Sequence, residues 1–383
     1  MKKSCLENNR GNVIIKIILL ILVSILVVFL AYEIVFNDIF GIMGDIDVSK
    51  LPISLDEVKN SFSSDNKKTE DVEGNMEVVT PIIDESNGQN TQTTVKINKY
   101  YYNQLDEYAK IIYKGLEDNI ENMQSGTYKI DFNTQFNDLL NSENGEKKLG
   151  VAFQSAWNAF TYDYVDIFYI DVSKLILTTK TTKIGRMATH KVYVSNGDNE
   201  TYLSDEVKKI SNLQDEIKQL ANKRNIIVAQ LNGYSQYDQV KYLHDWLINT
   251  LKYDTTYKKD NIHNVYGAFK NQEVVCEGYA RTFKYILDGL GIESVLVSGN
   301  ATNSTGTTES HAWNYVKIND KWYAIDVTWD DPIIVDNGEL TESLRYKYFL
   351  CGSNTFFKNH KEDGYLSENS MKFTFPSLEK ENY

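Results

Sequence analysis

Val274-Val-Cys-Glu-Gly-Tyr-Ala-Arg-Thr-Phe-Lys-Tyr-Ile-Leu287 is the stretch that decides how this chain is organised. After Cys276, apolar residues recur at Tyr279, Phe283, Ile286, Leu287 and Leu290, the spacing of one buried helix face. Gly289 and Gly291 close the run, as glycine does past a helix C-terminus. Cys276 is therefore predicted at the first turn of a buried helix. The first N–H groups of a helix have no partner within it, and the helix dipole is positive there. Both favour an anion, so a thiol, which titrates near ~8.5 when free, is driven toward thiolate at such a site. The plain alternative is a core cysteine that packs as a small hydrophobe.

Two later motifs weigh against that alternative. Ser-His-Ala-Trp-Asn at 310–314 begins an alternating run to Ile318, and Lys321 to Asp326 reads as its partner strand. Asn319-Asp320 between them makes a two-residue turn. With that turn, Trp313 lies opposite Asp326 and His311 opposite Thr328, so all four share one face of the hairpin. His311 and Asp326 become diagonal neighbours, roughly 7–8 Å apart at the backbone and within side-chain reach. A thiol, a base and a carboxylate that orients the base are the parts of a nucleophilic cysteine enzyme. Taken alone, a His–carboxylate pair on a strand face is more often an ordinary buried hydrogen bond.

Cys-Glu-Gly-Tyr-Ala at 276–280, Ser-His-Ala-Trp-Asn at 310–314 and Asp-Val-Thr-Trp-Asp-Asp-Pro at 326–332 together resemble the bacterial transglutaminase-like domain of the papain-like thiol enzymes. The resemblance runs over roughly Ser235–Pro332. It implies an α+β fold whose core is a Cys-bearing helix packed on an antiparallel sheet. It also implies Cys276 as nucleophile, His311 as general base and acid, and Asp326 as the residue that orients His311. A weaker resemblance, from Lys99 to about Arg224, is to the N-terminal module of clostridial-type proteins of this kind. The Cys276 N–H is the first oxyanion donor, and a second must come from upstream. Gln272 is a candidate for it by chemistry alone, although a glutamine there also suits a surface loop. Trp313 and Trp329 are candidates to line the substrate cleft.

The rest of the 383 residues surround this domain. Val13–Phe36 is apolar except for Lys16 and Glu33 near its ends. Those 24 residues, at ~1.5 Å each, are long enough to span a ~30 Å hydrocarbon core. No small-x-small cleavage site follows, so an uncleaved anchor is expected rather than a signal peptide. Lys2, Lys3, Arg10 and Lys16 precede the span, and Glu33, Asp38, Asp45 and Asp47 end or follow it. The positive-inside rule then places residues 1–12 in the cytoplasm and the bulk of the chain outside as a single-pass protein. Residues 37–95 are rich in Ser, Asp, Asn, Glu and Thr, a composition that reads as a flexible stalk.

Beyond residue 36 there are 36 basic and 51 acidic residues, a balance of −15 that argues against nucleic acid and anionic lipid as partners. The three cysteines, Cys5, Cys276 and Cys351, have no disulfide-framework or zinc spacing. His190, His244, His263 and His360 have no ligand-like spacing either, and neither a metal nor a cofactor is expected. A Cys276–Cys351 bridge would abolish the proposed chemistry.

An α+β module is expected over 96–230 and the catalytic domain over 231–383. In the first, Tyr101, Leu105, Tyr108, Ile112, Leu116 and Ile120 form a helical stripe. Strands are expected at 128–132, Val165–Ile170, Leu175–Thr179 and Lys191–Val194, with a helix over Val151–Phe160. Ser204 is expected to cap a polar helix running to about Arg224. In the second, Ser235 and Asp238 form a capping box ahead of Val240, Leu243, Leu247 and Leu251. Tyr346–Leu350 is expected as a further strand, and the C-terminal tail as loosely ordered.

Three functional readings follow: a protease or amidase acting through a thioester, with water as acceptor and modestly favoured; a transglutaminase joining glutamine to a lysine amine; and a non-catalytic adhesion or scaffold module. The expected partner is a protein or peptide substrate, with cell-wall material as one source.

Overall fold

Asp106 shows how the N-terminal half of the described chain starts. Its carboxylate accepts from Ala109 N at 2.8 Å, satisfying one of the unpaired donors of helix α1 (Glu107–Glu117). In the computed structural model, residues 95–331 and 342–383 are described. The expected anchor at 13–36 and, apart from Val95, the stalk lie outside them. Among the described residues no helix is long and apolar enough to cross a membrane.

Ala109, Ile112, Tyr113 and Leu116 form the buried face of α1. Tyr101 and Leu105 reach the core from the turn before it, not from the helix. Strand β1 (Ile130–Asn133) follows, then helix α2 (Gly145–Asp163), which packs along α1. Strands β2 (Ile176–Ile184) and β3 (Met187–Ser195) complete an antiparallel sheet of order β1-β3-β2.

Two expectations for this half fail. Val165–Ile170 is no strand: Val165, Ile167, Phe168 and Tyr169 are all buried, a wedge of apolar side chains rather than a half-buried alternation. Ser204 Oγ accepts from Val207 N, but only a three-residue turn, Val207–Lys209, follows. The long helix α3 (Leu213–Leu231) instead starts at Asn212, whose side chain accepts from Asp215 N.

Helix α4 (Gln236–Thr250) is capped as expected by Ser235, which accepts from Asp238 N at 3.1 Å and donates to its carboxylate at 2.6 Å. Strand β4 (Lys252–Tyr253) pairs in parallel, after helix α5 (Val265–Lys270), with β5 (Glu273–Val274). Helix α6 (Cys276–Leu290) begins at Cys276 and ends at Gly291 in the left-handed conformation, φ 71°. It packs on strands β6 (Ser294–Thr302) and β7 (Thr308–Ile318) of an antiparallel sheet. That sheet adds β8 (Lys321–Ile325) on one side and β9 (His360–Glu362) on the other, in the order β8-β7-β6-β9. A Cys-bearing helix on an antiparallel sheet is the expected α+β core.

The β7–β8 turn has the expected two residues. Asn319 and Asp320 both take positive φ, 50° and 64°, and Ile318 pairs with Lys321. The β7–β8 pairing ends at Asn314–Ile325, and the chain turns over 327–330, so the expected pairing of His311 opposite Thr328 does not form.

Tyr346–Leu350 forms no strand. Leu350 turns the chain at φ 48°, and the next residue, Cys351, makes an isolated bridge with Ala324 on the β8 edge. The tail lacks regular structure yet is docked rather than loose. Glu379 N donates to Trp322 O at 2.9 Å, Thr374 N to Gln104 Oε1 at 2.8 Å, and Phe373 is buried. The Tyr101 hydroxyl donates to Leu296 O on β6, and one apolar core runs from Tyr101 to Phe373.

Candidate active site

Val275, the residue before α6, is extended and has no side chain able to cap the helix. The first-turn donors are thus left beside the half-buried Cys276. Cys276 lines a cleft of about 430 Å³ together with Glu277, Ser298, Glu309, His311 and Asp363. A second cleft of about 670 Å³, walled by Trp329, Thr328 and Tyr348, also reaches His311. The two share Tyr253, Tyr257, Glu309 and His311.

His311 is buried on β7, and its Nε2 lies 2.7 Å from Asp326 Oδ2. Nδ1 is the nitrogen left for Cys276. Burial disfavours a charged ring here, but the Asp326 charge and hydrogen bond, helped by the Cys276 side chain, outweigh it and raise His311 to about 10. Asp326 is fully enclosed, and burial alone would raise its pKa. The His311 charge and hydrogen bond, with His360, instead hold it well below the usual carboxylate range. Its four acceptor directions are filled: Oδ1 by Thr328 N (3.1 Å) and Trp329 N (3.2 Å), Oδ2 by His311 and by His360 Nε2 at 3.1 Å.

The structure brings Cys276, His311 and Asp326 together and leaves other expected residues aside. Gln272 is exposed in a left-handed turn at φ 56° and lines neither cleft, so it is no oxyanion donor. Its carbonyl continues the β4–β5 pairing by accepting from Lys252 N, and its N–H donates to Gly267 O. Trp313 is 1% exposed and belongs to the core, edge-on to Phe356. Trp329 does wall the larger cleft, with its ring 5.3 Å from that of His311.

Three features escaped the sequence reading. Tyr253 sits in a two-residue strand too short to show a period, next to the strand that leads into Cys276. Its hydroxyl is held protonated by burial first, then by the Tyr257 hydroxyl at 3.3 Å and by the charge of Cys276. His360 joins Asp326 from 34 residues away, a pairing no local spacing announces. Glu277 meets His263 Nδ1 at 3.2 Å and Arg281 Nε at 2.8 Å. Burial opposes its charge, but these cations, Arg281 foremost, bring it down to about 2.

His311, Asp326 and His360 each bring one metal-capable atom within 4.8 Å of the others. The hydrogen bonds through Asp326 Oδ2 account for that spacing. Cys276 and Cys351 are both free. Cys351 is buried against β8, which pushes its thiol up to about 12.

Residues 225–327 match the family model of the Transglutaminase-like superfamily. The chain carries a transglutaminase-like domain. Among curated proteins it is 24% identical over 152 residues to the kyphoscoliosis peptidase of Mus musculus, and 23% identical over 142 residues to that of Homo sapiens. These matches cover 36% and 34% of this chain but only 23% and 22% of the relatives, so the chain spans less than a quarter of their length. Among solved structures it is similar to a TGase, at 18% identity and a TM-score of 0.28 over 45% of this chain and 48% of that one. It is also similar to the periplasmic domain of TgpA from Pseudomonas aeruginosa, at 14% identity and a TM-score of 0.24 over 42% and 66%.

Proposed function

We propose that this transglutaminase-like protein is a thiol enzyme that opens amide bonds of proteins or peptides through a thioester on Cys276, with water as the favoured acceptor. One observation carries the reading: the buried His311–Asp326 pair, 2.7 Å apart, shares its cleft with a half-buried cysteine at a helix start. The Cys276 sulfur attacks the amide carbonyl, and the C=O electrons move to oxygen. On this reading the Cys276 N–H and the hydroxyl of Tyr253, which lines the same cleft, donate to that oxyanion. Collapse breaks the C–N bond, and the proton carried by His311 leaves with the amine. His311 then takes a proton from water, which adds to the thioester and releases the acid and the thiol.

Transamidation, with a lysine amine in place of water, is supported by the two clefts that meet at His311, since an acyl donor and an amine each need their own side of the thioester. Water is favoured because it is in vast excess over any amine. Placement outside the cell, behind an anchor at 13–36, rests on the flanking charges of that segment. Protease added to intact cells should digest the part beyond residue 37, and an untouched chain would overturn that placement.

The deciding experiment incubates the purified chain with a glutamine-containing protein and a labelled primary amine. Mass spectrometry then scores backbone cleavage, deamidation and amine incorporation. Cleavage or deamidation lost in Cys276→Ala supports hydrolysis. Amine incorporation as the main Cys276-dependent product overturns the preference for water, and no product across varied substrates favours a non-catalytic module.

A further inference from the structure

His360 is fully buried, yet it carries a polar ring into an aromatic pocket. It is stacked on Phe356 with centroids 4.0 Å apart, and the rings of Trp329, Trp313 and Tyr348 lie at 4.6, 5.1 and 5.2 Å. A phenylalanine would fill such a space without the cost of desolvating two ring nitrogens. Both nitrogens are engaged. Nε2 lies 3.1 Å from Asp326 Oδ2, the oxygen that His311 also meets, and Nδ1 lies 2.9 Å from Asn359 Oδ1. Asn359 Nδ2 in turn donates to the Tyr348 hydroxyl at 2.7 Å. A carboxylate can only accept, so the contact with Asp326 requires a proton on His360 Nε2 whichever way the Asn359 amide is turned. His360 Nε2 then carries the proton and donates it to Asp326.

We propose that His360 is a positioning residue for the Cys276 reaction: its hydrogen bond to Asp326 Oδ2 fixes the carboxylate that orients His311. The proposal rests on the thiol-enzyme reading. Asp326 Oδ1 is already held by two backbone N–H groups, so His360 settles the remaining freedom of the carboxylate. It also takes a share of the Asp326 charge. A buried carboxylate that faced His311 alone would hold the imidazolium proton more tightly, and a general acid must be able to release it. The position of His360 is itself rigid: β9 pairs His360 with Ala301 on β6, whose neighbour Gly299 faces His311 across β7.

The test needs no substrate. Limiting iodoacetamide is added to the full-length chain at neutral pH. The alkylation rate at Cys276 is followed by peptide mass spectrometry, with buried Cys351 as the internal reference. His360→Phe, which keeps the ring stack and removes the N–H, is expected to slow Cys276 about tenfold, the scale on which removing such a supporting partner acts. His360→Gln, which keeps a donor, is expected to restore most of the rate. Histidine 15N NMR of the unaltered chain is expected to show His360 protonated at Nε2, and this decides the matter if His360→Phe does not fold. Wild-type alkylation rates in a folded His360→Phe, equal slowing in both variants, or a His360 with no proton on Nε2 overturn the proposal and leave the thiol-enzyme reading standing. Wild-type Cys276 that reacts no faster than it does in the unfolded chain overturns both.

Discussion

Asn314 on β7 donates from Nδ2 to the Ala280 carbonyl on α6 at 3.0 Å, and both groups are buried. Ala280 is four residues after the thiol and Asn314 three residues after the imidazole, so this bond fixes the helix against the strand close to both. Asn314→Ala is expected to cost about 1–3 kcal/mol by leaving the contact unmade. It should also slow iodoacetamide labelling of Cys276, because the sulfur and ring lose their fixed separation. Thermal melting and labelling rate together check it. A lower melting temperature with unchanged labelling would mean that the bond serves stability alone.

The His311–Asp326 pair makes stability depend on pH in a definite direction. Asp326 is depressed, so its contribution is present above the unfolded value of ~3.9 and lost as pH falls through the lower folded value. His311 is raised to about 10, so its contribution is complete below the unfolded value of ~6.5 and is lost as pH rises toward 10. The melting temperature should therefore decline between pH 7 and 10 more steeply in the wild type than in His311→Gln. Parallel pH profiles would remove the paired imidazolium from the account. At neutral pH, His311→Ala should also slow Cys276 labelling.

Much of this site was legible in the sequence, and the reason is local. Helical spacing after Cys276 and a two-residue turn at Asn319-Asp320 each follow from side chains within one element, and the register of that turn carries His311 to Asp326. What was missed depends on distant parts of the chain. His360 reaches Asp326 only because β9 adds to β6, and Tyr253 reaches the cleft only because β4 pairs with β5. Trp313 shares the hairpin face of His311, but the chain around Phe356 and His360 covers it and turns an expected cleft wall into core. Gln272 had only its chemistry to recommend it, and its backbone turns it outward.

Gly299 offers a test of how β9 is held. A Cβ there would lie 2.1 Å from Lys361 O, 3.0 Å from Glu362 Cα and 2.7 Å from the Trp313 ring. Two of these neighbours are backbone and cannot swing away, so Gly299→Ala must push β9 off β6 or fail to fold. The expected outcome is a loss of about 1–3 kcal/mol from overpacking, with slower Cys276 labelling as His360 shifts. Denaturant unfolding and labelling measure the two effects. Wild-type behaviour in both would show that the strand gives way freely and that its position does not matter to the thiol.

Tyr253 separates making the nucleophile from stabilising what it forms. Alkylation by iodoacetamide develops no oxyanion, whereas attack on an amide does. If the Tyr253 hydroxyl serves the oxyanion, Tyr253→Phe should leave Cys276 labelling close to wild type while amide turnover falls about 10²-fold, the effect of removing one such donor. Phenylalanine keeps the ring in the cleft wall, so a change in cleft shape does not confuse the outcome. The Tyr257 hydroxyl, 3.3 Å from that of Tyr253, then loses its neighbour, and Tyr257→Phe is the control for that contact. A parallel fall in labelling and turnover would place Tyr253 with His311, as a group that tunes the thiol. A fall in turnover alone assigns it to the oxyanion.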